Sequence, residues 1–329
     1  MAKISVLGAG SWGTALALAS SYAGHEVLLW THNQAHAQMM QGAHVNARYL
    51  PEVKFPQNLQ VSAQLSQLLS HATTILVAVP SHAFKSVITA IVPYWTEKHT
   101  LVWATKGLDD SGNLLHQVVD QTLGMGVKKA VLSGPSFATE LAQALPTAVA
   151  VASDDIAYAA YLAELFSYQH FRVYTTSDLI GAQLGGAVKN VLAIACGISD
   201  GLGYGANARA ALITRGLAEM MRLGQALSAA PETFMGLTGL GDLVLTCTDN
   251  KSRNRRYGLA LGQGASAEAA QTEIGQVVEG ILTAGHVYQL ANTHQVEMPI
   301  VEQVYRVLQN QCTVQEAVSN LLGRTLKSE

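Results

Sequence analysis

Cysteine is scarce. There are three, Cys196, Cys247 and Cys312, an odd number scattered through 329 residues. They give neither a disulfide framework nor the paired spacing of a zinc site, so a reducing compartment and no metal are expected. Charge is scarce too: 13% of residues are Asp, Glu, Lys or Arg, with 20 basic against 23 acidic and a net charge of −3. A nucleic-acid surface needs an excess of cations, and disorder needs high net charge with few apolar residues; neither is present. Long unbroken apolar runs are missing, so no membrane span is expected. The apolar N-terminus is interrupted after Leu7 by glycines and by Ser11 and Trp12, which leaves too short a run for a signal peptide. These absences predict a cytoplasmic protein with no nucleic-acid partner and no membrane insertion.

Apolar residues, at 49%, are abundant, enough for one large core or two. In the first half, short β-rich runs alternate with helical patterns. Ile4–Leu7, Glu26–Trp30, Ile75–Val79, Leu101–Ala104 and Ala130–Leu132 read as strands, and Ala148–Ala152 and Phe171–Thr175 extend the set. Several are continuously apolar, as parallel strands buried on both faces must be. Thr14–Ala23 and Ala83–Ile91 read as helices between them. Beyond Leu179 the texture becomes Ala-, Leu- and Gly-rich with no strand pattern. Thr313 to Glu316 is a capping box opening a helix that Gly323 ends. The expected architecture is an α/β N-terminal Rossmann domain, doubly wound around a mostly parallel sheet, over residues 1–179. An all-α C-terminal domain follows over 180–329.

Gly8-Ala-Gly10-Ser11-Trp12-Gly13 is G-x-G-x-x-G, directly after the first strand and directly before the first helix. That context turns a weak pattern into a dinucleotide site. Gly8 makes the tight turn, Gly10 lets backbone approach a pyrophosphate, and Gly13 lets helix pack on strand. The second strand ends Trp30-Thr-His32-Asn33, without the carboxylate that binds a ribose 2′-hydroxyl and repels a 2′-phosphate. NADP or NAD is therefore the expected cofactor, with NADPH accepted.

Four polar features stand outside these patterns. Lys189 sits in the small-residue stretch Gly181–Ile198 with no acid within four positions. A buried lysine suits proton transfer to a carbonyl oxygen, and a lysine snorkelling from a helix end is the alternative. Lys106, just past the Leu101–Ala104 run, and the loop Ser133–Phe137 both stand where ligands bind in open α/β sheets, though either also fits an ordinary turn. Lys251-Ser-Arg-Asn-Arg-Arg256, after the glycine-rich turn ending in Asp242, is a clamp for a small anion or a solvated charge run.

Together these residues resemble the bacterial-type NAD(P)-dependent glycerol-3-phosphate dehydrogenases. The resemblance runs through GAGSWGTALA (8–17), NARYLP (46–51), AVPSHAF (78–84), TKGL (105–108) and SGPSFATELA (133–142). It continues through the long run 189–220, GLTGLGDLVLTCT (236–248), SRNRRYG (252–258) and VVEG (277–280). It implies reversible reduction of dihydroxyacetone phosphate to sn-glycerol 3-phosphate, feeding glycerophospholipid synthesis, by a homodimer. It also implies Lys189 as proton donor and acceptor, with Lys106 and Asp242 assisting. Substrate contacts are implied for Lys106, Gly134, Ser136, Lys189, Asn190, Asp242, Thr246, Ser252, Arg253 and Asn254. Nucleotide contacts are implied for Gly8, Gly10, Ser11, Trp12, Gly13, His32, Tyr49, Lys106, Ala138, Arg253, Val277 and Glu279. Two rivals share the plan in part: a β-hydroxyacid dehydrogenase and a non-catalytic redox sensor that binds dinucleotide.

Overall fold

A computed structural model describes residues 1–325. The chain divides into two compact units, residues 1–109 with 113–183, and residues 110–112 with 184 onward. The first carries the strands β1 (Lys3–Leu7), β2 (Glu26–Trp30), β3 (Val45–Asn46), β4 (Leu50–Lys54), β5 (Leu59–Ser62) and β6 (Thr74–Val77). It continues with β7 (Thr100–Trp103), β8 (Lys129–Ser133), β9 (Thr147–Ala152) and β10 (Phe171–Thr176). Eight of them form one sheet in the order β10-β9-β8-β7-β6-β1-β2-β5. Every junction is parallel except β8–β9. Apolar side chains cover both faces. Leu76 and Val102 join one core while Ile75, Val77, Leu101 and Trp103 join the other, as the period of two requires. Strand order reverses between β1 and β6, so the crevice at their carboxyl ends is the natural ligand position of such a sheet.

Three features differ from the sequence reading. The first helix spans Ser11–Tyr22 and so begins before Thr14, with Gly10 as its extended N-cap. Gly13 thus lies inside the helix, where close packing requires glycine, as expected. The strand β5 and the antiparallel ribbon of β3 and β4 were not foreseen, because their short runs, such as Leu59-Gln-Val-Ser62, hold few apolar residues. The antiparallel β8–β9 junction is likewise invisible in composition.

Every regular element of the second unit is helical among the described residues. Its longest helix, Leu179–Gly201, is by length and composition able to cross a membrane, contrary to the expectation of no such segment. Its apolar window is 89% buried within the protein, which makes it a core helix. Glycines bring it against the helix Arg253–Gly262. A Cβ on Gly197 would lie 2.1 Å from the Arg255 carbonyl oxygen, and one on Gly258 would lie 2.1 Å from that of Ile194. One turn further on each helix, a Cβ on Gly201 would lie 2.4 Å from the Leu259 carbonyl oxygen and one on Gly262 would lie 2.3 Å from that of Ile198. Backbone-to-backbone contact of this kind fixes the two helices in a single register. The capping box at Thr313 forms as expected and opens the helix Val314–Leu322.

Glu219, on the helix Gly205–Ala226, is 1% exposed and accepts from the backbone nitrogens of Ile300 (2.7 Å) and Val301 (3.2 Å). It thus caps the helix Pro299–Leu308 from outside. Burial pushes its carboxyl up from 4.5 to about 7, against the two amide bonds and the charges of Arg222 and Arg324, which pull it down. The folded protein therefore holds a proton between those values that the unfolded chain has released. Stability attributable to this group falls as pH rises through that window, by about 3 kcal/mol in total. The melting temperature of wild type is expected to drop relative to that of Glu219→Gln between pH 5 and pH 8. Parallel pH curves for the two proteins would contradict the assignment.

Candidate functional site

The glycine-rich turn leaves β1 with Gly8 at φ +116°, a conformation that a Cβ would strain. A Cβ there would also sit 2.6 Å from the Ala78 carbonyl oxygen. One on Gly13 would sit 1.8 Å from the Gly8 carbonyl oxygen. Gly10 differs: a Cβ would meet nothing within 4 Å. No protein contact demands glycine at position 10, whereas a pyrophosphate laid on the first turn of Ser11–Tyr22 would, because a side chain would fill that space. The residues present thus fit a dinucleotide. Trp12, in that first turn, has an indole nitrogen that is buried without a hydrogen-bond partner in the described structure.

The turn is held by a residue that the sequence did not single out. Asn46 is fully buried and donates to the Ala9 carbonyl oxygen (3.0 Å) and to Thr14 Oγ1 (2.8 Å). A lone asparagine in a short ribbon gives no sequence signal for such a role. Tyr49 lies in the same ribbon's turn, with the Arg48 guanidinium 5.3 Å from its ring centre and His36 beside it. At the end of β2, His32 is exposed, and Asn33 accepts from the His36 backbone nitrogen to cap the next helix. Asn33 is therefore a cap, with its carbonyl oxygen already engaged.

Lys106 follows β7, and its Nζ donates to the Gly134 carbonyl oxygen, 3.1 Å away, past the end of β8. The Ser136 hydroxyl donates to the same oxygen (3.0 Å). Gly134 has φ +143° and a Cβ there would lie 2.9 Å from Val149 Cα, so this loop is fixed tightly against β9. Ala138 opens the short helix that follows. These carboxyl-end positions gather Lys106, Gly134 and Ser136 into one cluster.

In the helical unit, Lys189 is 8% exposed and Asp242 1%. Lys189 Nζ donates to Asp242 Oδ1 at 2.7 Å and to Thr246 Oγ1 at 2.9 Å. Asp242 and Thr246 stand one turn apart on the helix Asp242–Thr248, so both face the lysine. The Thr246 hydroxyl gives its own proton to the Asp242 carbonyl oxygen (2.6 Å), which turns its lone pairs to the ammonium. Asp242 lies where a π-helical turn over Leu237–Gly241 runs on into the helix Asp242–Thr248. A buried ammonium needs such a partner to offset its lost hydration, and this pairing rules out snorkelling. Beside them, a hydrogen bond with Cys196, and after it burial, push the Cys247 thiol up. Two of the three dispersed cysteines thus meet as reduced thiols.

The basic run 251–256 separates into distinct roles. Ser252 caps the helix Arg253–Gly262 by accepting from the Arg255 backbone nitrogen. Arg253 is partly exposed and donates to the Val277 carbonyl oxygen at 2.9 Å. Asn254 is buried: its Nδ2 donates to Asn190 Oδ1, and its Oδ1 accepts from the Gly280 backbone nitrogen, both at 2.9 Å. It ties the lysine's helix to the start of Glu279–Thr293. Arg255, read as one charge of a cluster, is buried. Arg253, Val277 and the start of the Glu279 helix are thus neighbours, as are Lys189, Asp242 and Thr246.

Comparison with known proteins is consistent along the whole chain. Residues 3–159 match the family model for the N-terminus of NAD-dependent glycerol-3-phosphate dehydrogenase, and residues 178–319 match that for its C-terminus. The glycerol-3-phosphate dehydrogenase [NAD(P)+] of Colwellia psychrerythraea is 55% identical, covering 100% of this chain and 99% of its own. That of Sodalis glossinidius is 54% identical, covering 100% and 98%. The crystal structure of the Coxiella burnetii glycerol-3-phosphate dehydrogenase superposes with a TM-score of 0.95 at 51% identity, covering 98% of this chain and 99% of that one. With two family models spanning both units and relatives aligned from end to end, this chain belongs to the NAD-dependent glycerol-3-phosphate dehydrogenase family.

Proposed function

We propose that this chain reduces dihydroxyacetone phosphate to sn-glycerol 3-phosphate, reversibly, using NADPH or NADH. The observation that carries the reading is the buried Lys189–Asp242–Thr246 cluster in a chain whose glycine-rich turn fits a dinucleotide. The nicotinamide, when bound, supplies the hydride to the ketone carbon. Gly8, Gly10, Ser11, Trp12 and Gly13 hold the dinucleotide at the helix start, with His32, Tyr49, Lys106, Ala138, Arg253, Val277 and Glu279 as further contacts. Lys189 Nζ gives a proton to the carbonyl oxygen as it becomes an alkoxide, and takes it back in the reverse direction. Asp242 and Thr246 hold that ammonium, so the donor is oriented before substrate arrives. Lys106 stabilises developing negative charge, and Gly134 and Ser136 shape the loop beside it. Arg253 takes the phosphate with a fork of donors suited to it. Ser252, Asn254 and Asn190 set the helix start that presents Arg253.

The second strand ends without a carboxylate, which supports acceptance of NADPH. The relatives' names give both nucleotides. A cytoplasmic homodimer acting in glycerophospholipid synthesis completes the reading, and the resemblance supports it. Oxidation of NADPH and of NADH, followed at 340 nm, tests it with dihydroxyacetone phosphate offered against oxaloacetate and pyruvate. Turnover is expected with the phosphorylated ketone alone. Turnover with a keto acid would favour the β-hydroxyacid reading, and binding without turnover would favour the sensor.

A further inference from the structure

Arg255 is 7% exposed, and its guanidinium bonds to three separate segments. Nε donates to the Cys247 carbonyl oxygen at 3.1 Å, in the last turn of the helix that carries Asp242 and Thr246. One terminal nitrogen donates to Asn250 Oδ1, in the loop that leads to Ser252. The other donates to Asp200 Oδ2 at 2.5 Å, near the end of the helix that carries Lys189. Asp200 is also held from the helix Gly205–Ala226, by Arg209 at 2.9 and 3.0 Å. The Arg255 backbone nitrogen donates to Ser252 Oγ, at the start of the helix that presents Arg253. Only a planar group with several fixed donors can join these partners at once.

We propose that Arg255 is a positioning residue for the reaction. It fixes the spacing between the acid–base end of the substrate site, at Lys189 and Asp242, and the phosphate end, at Arg253. This rests on the proposed function. Its consequence is specific. Binding energy from a remote phosphate helps the chemistry only if phosphate and carbonyl are held at the right separation. Loosening Arg255 should therefore remove the advantage of a phosphorylated substrate more than the activity on its unphosphorylated analogue.

Steady-state kinetics of Arg255→Lys with dihydroxyacetone phosphate and with dihydroxyacetone test this. The wild type is expected to have a far higher kcat/KM for the phosphorylated ketone. Lysine keeps the charge but loses the fork of donors, so that ratio should fall by roughly 10²-fold, chiefly through the phosphorylated substrate. Asp200→Asn, which leaves Arg255 in place and removes the charge it bonds, should lower the same ratio. It decides the matter if Arg255→Lys does not accumulate as folded protein. Equal losses on both substrates would mark Arg255 as merely structural and overturn the proposal, as would an unchanged ratio. A wild type indifferent to the phosphate overturns the proposed function and this inference with it. Preference in the wild type, kept in both variants, overturns this inference alone.

Discussion

Replacing Lys189 by Ala is expected to lower kcat by about 10²–10⁴-fold or more, the range of a lost general acid, extended by the lost charge at the developing alkoxide. The protein should still fold. Alanine is the better helix former, and burying an ammonium against a carboxylate adds little net stability. A cost remains, because Asp242, 1% exposed, would lose the partner 2.7 Å away. Nucleotide affinity should barely change, since Lys189 is not among the proposed nucleotide contacts. Steady-state kcat, with nucleotide binding followed separately, checks this. A kcat within a few-fold of wild type would remove Lys189 from the chemistry.

The second large effect is expected at Arg253. Its guanidinium is held by the Val277 carbonyl oxygen at 2.9 Å and is part-exposed, as a group that must receive an incoming anion should be. Arg253→Ala removes charge-assisted bonds to the phosphate, with a loss of about 2–3 kcal/mol, or roughly 30–150-fold in KM for dihydroxyacetone phosphate. On the proposed nucleotide contact of Arg253, nucleotide binding is expected to weaken as well. An unchanged KM for dihydroxyacetone phosphate would take Arg253 out of the substrate site.

Much of this was legible in the sequence because its signals are local. The glycine-rich turn is recognisable from neighbours on either side, and continuous apolar runs mark strands covered on both faces. Lys189 stood out because nothing within one helical turn explained it. Its link to Asp242 came from the resemblance alone, because Asp242 lies 53 residues away and no local pattern joins the two. The same limit hid Asn46, which holds the nucleotide turn from a two-residue strand, and Glu219, which caps a helix 81 residues further on. Arg255 was concealed differently: a basic run reads as an anion clamp or a solvated surface, and only the fold, which lays its guanidinium against Asp200, Asn250 and the Cys247 carbonyl oxygen, buries it. The helix Leu179–Gly201 passed unnoticed as a possible span because Gln183, Lys189 and Asn190 interrupt its apolar residues, yet the mean hydropathy of an 18-residue window within it, 1.5, remains high.

The central claim is that Lys189 moves a proton, and Lys189→Arg tests it most directly. Arginine keeps the positive charge beside Asp242 but does not release its proton at working pH. With the folded state verified by nucleotide binding, kcat for dihydroxyacetone phosphate is expected to stay as low as in Lys189→Ala. A Lys189→Arg protein with near-normal kcat would contradict the claim and leave the buried lysine an electrostatic or structural group.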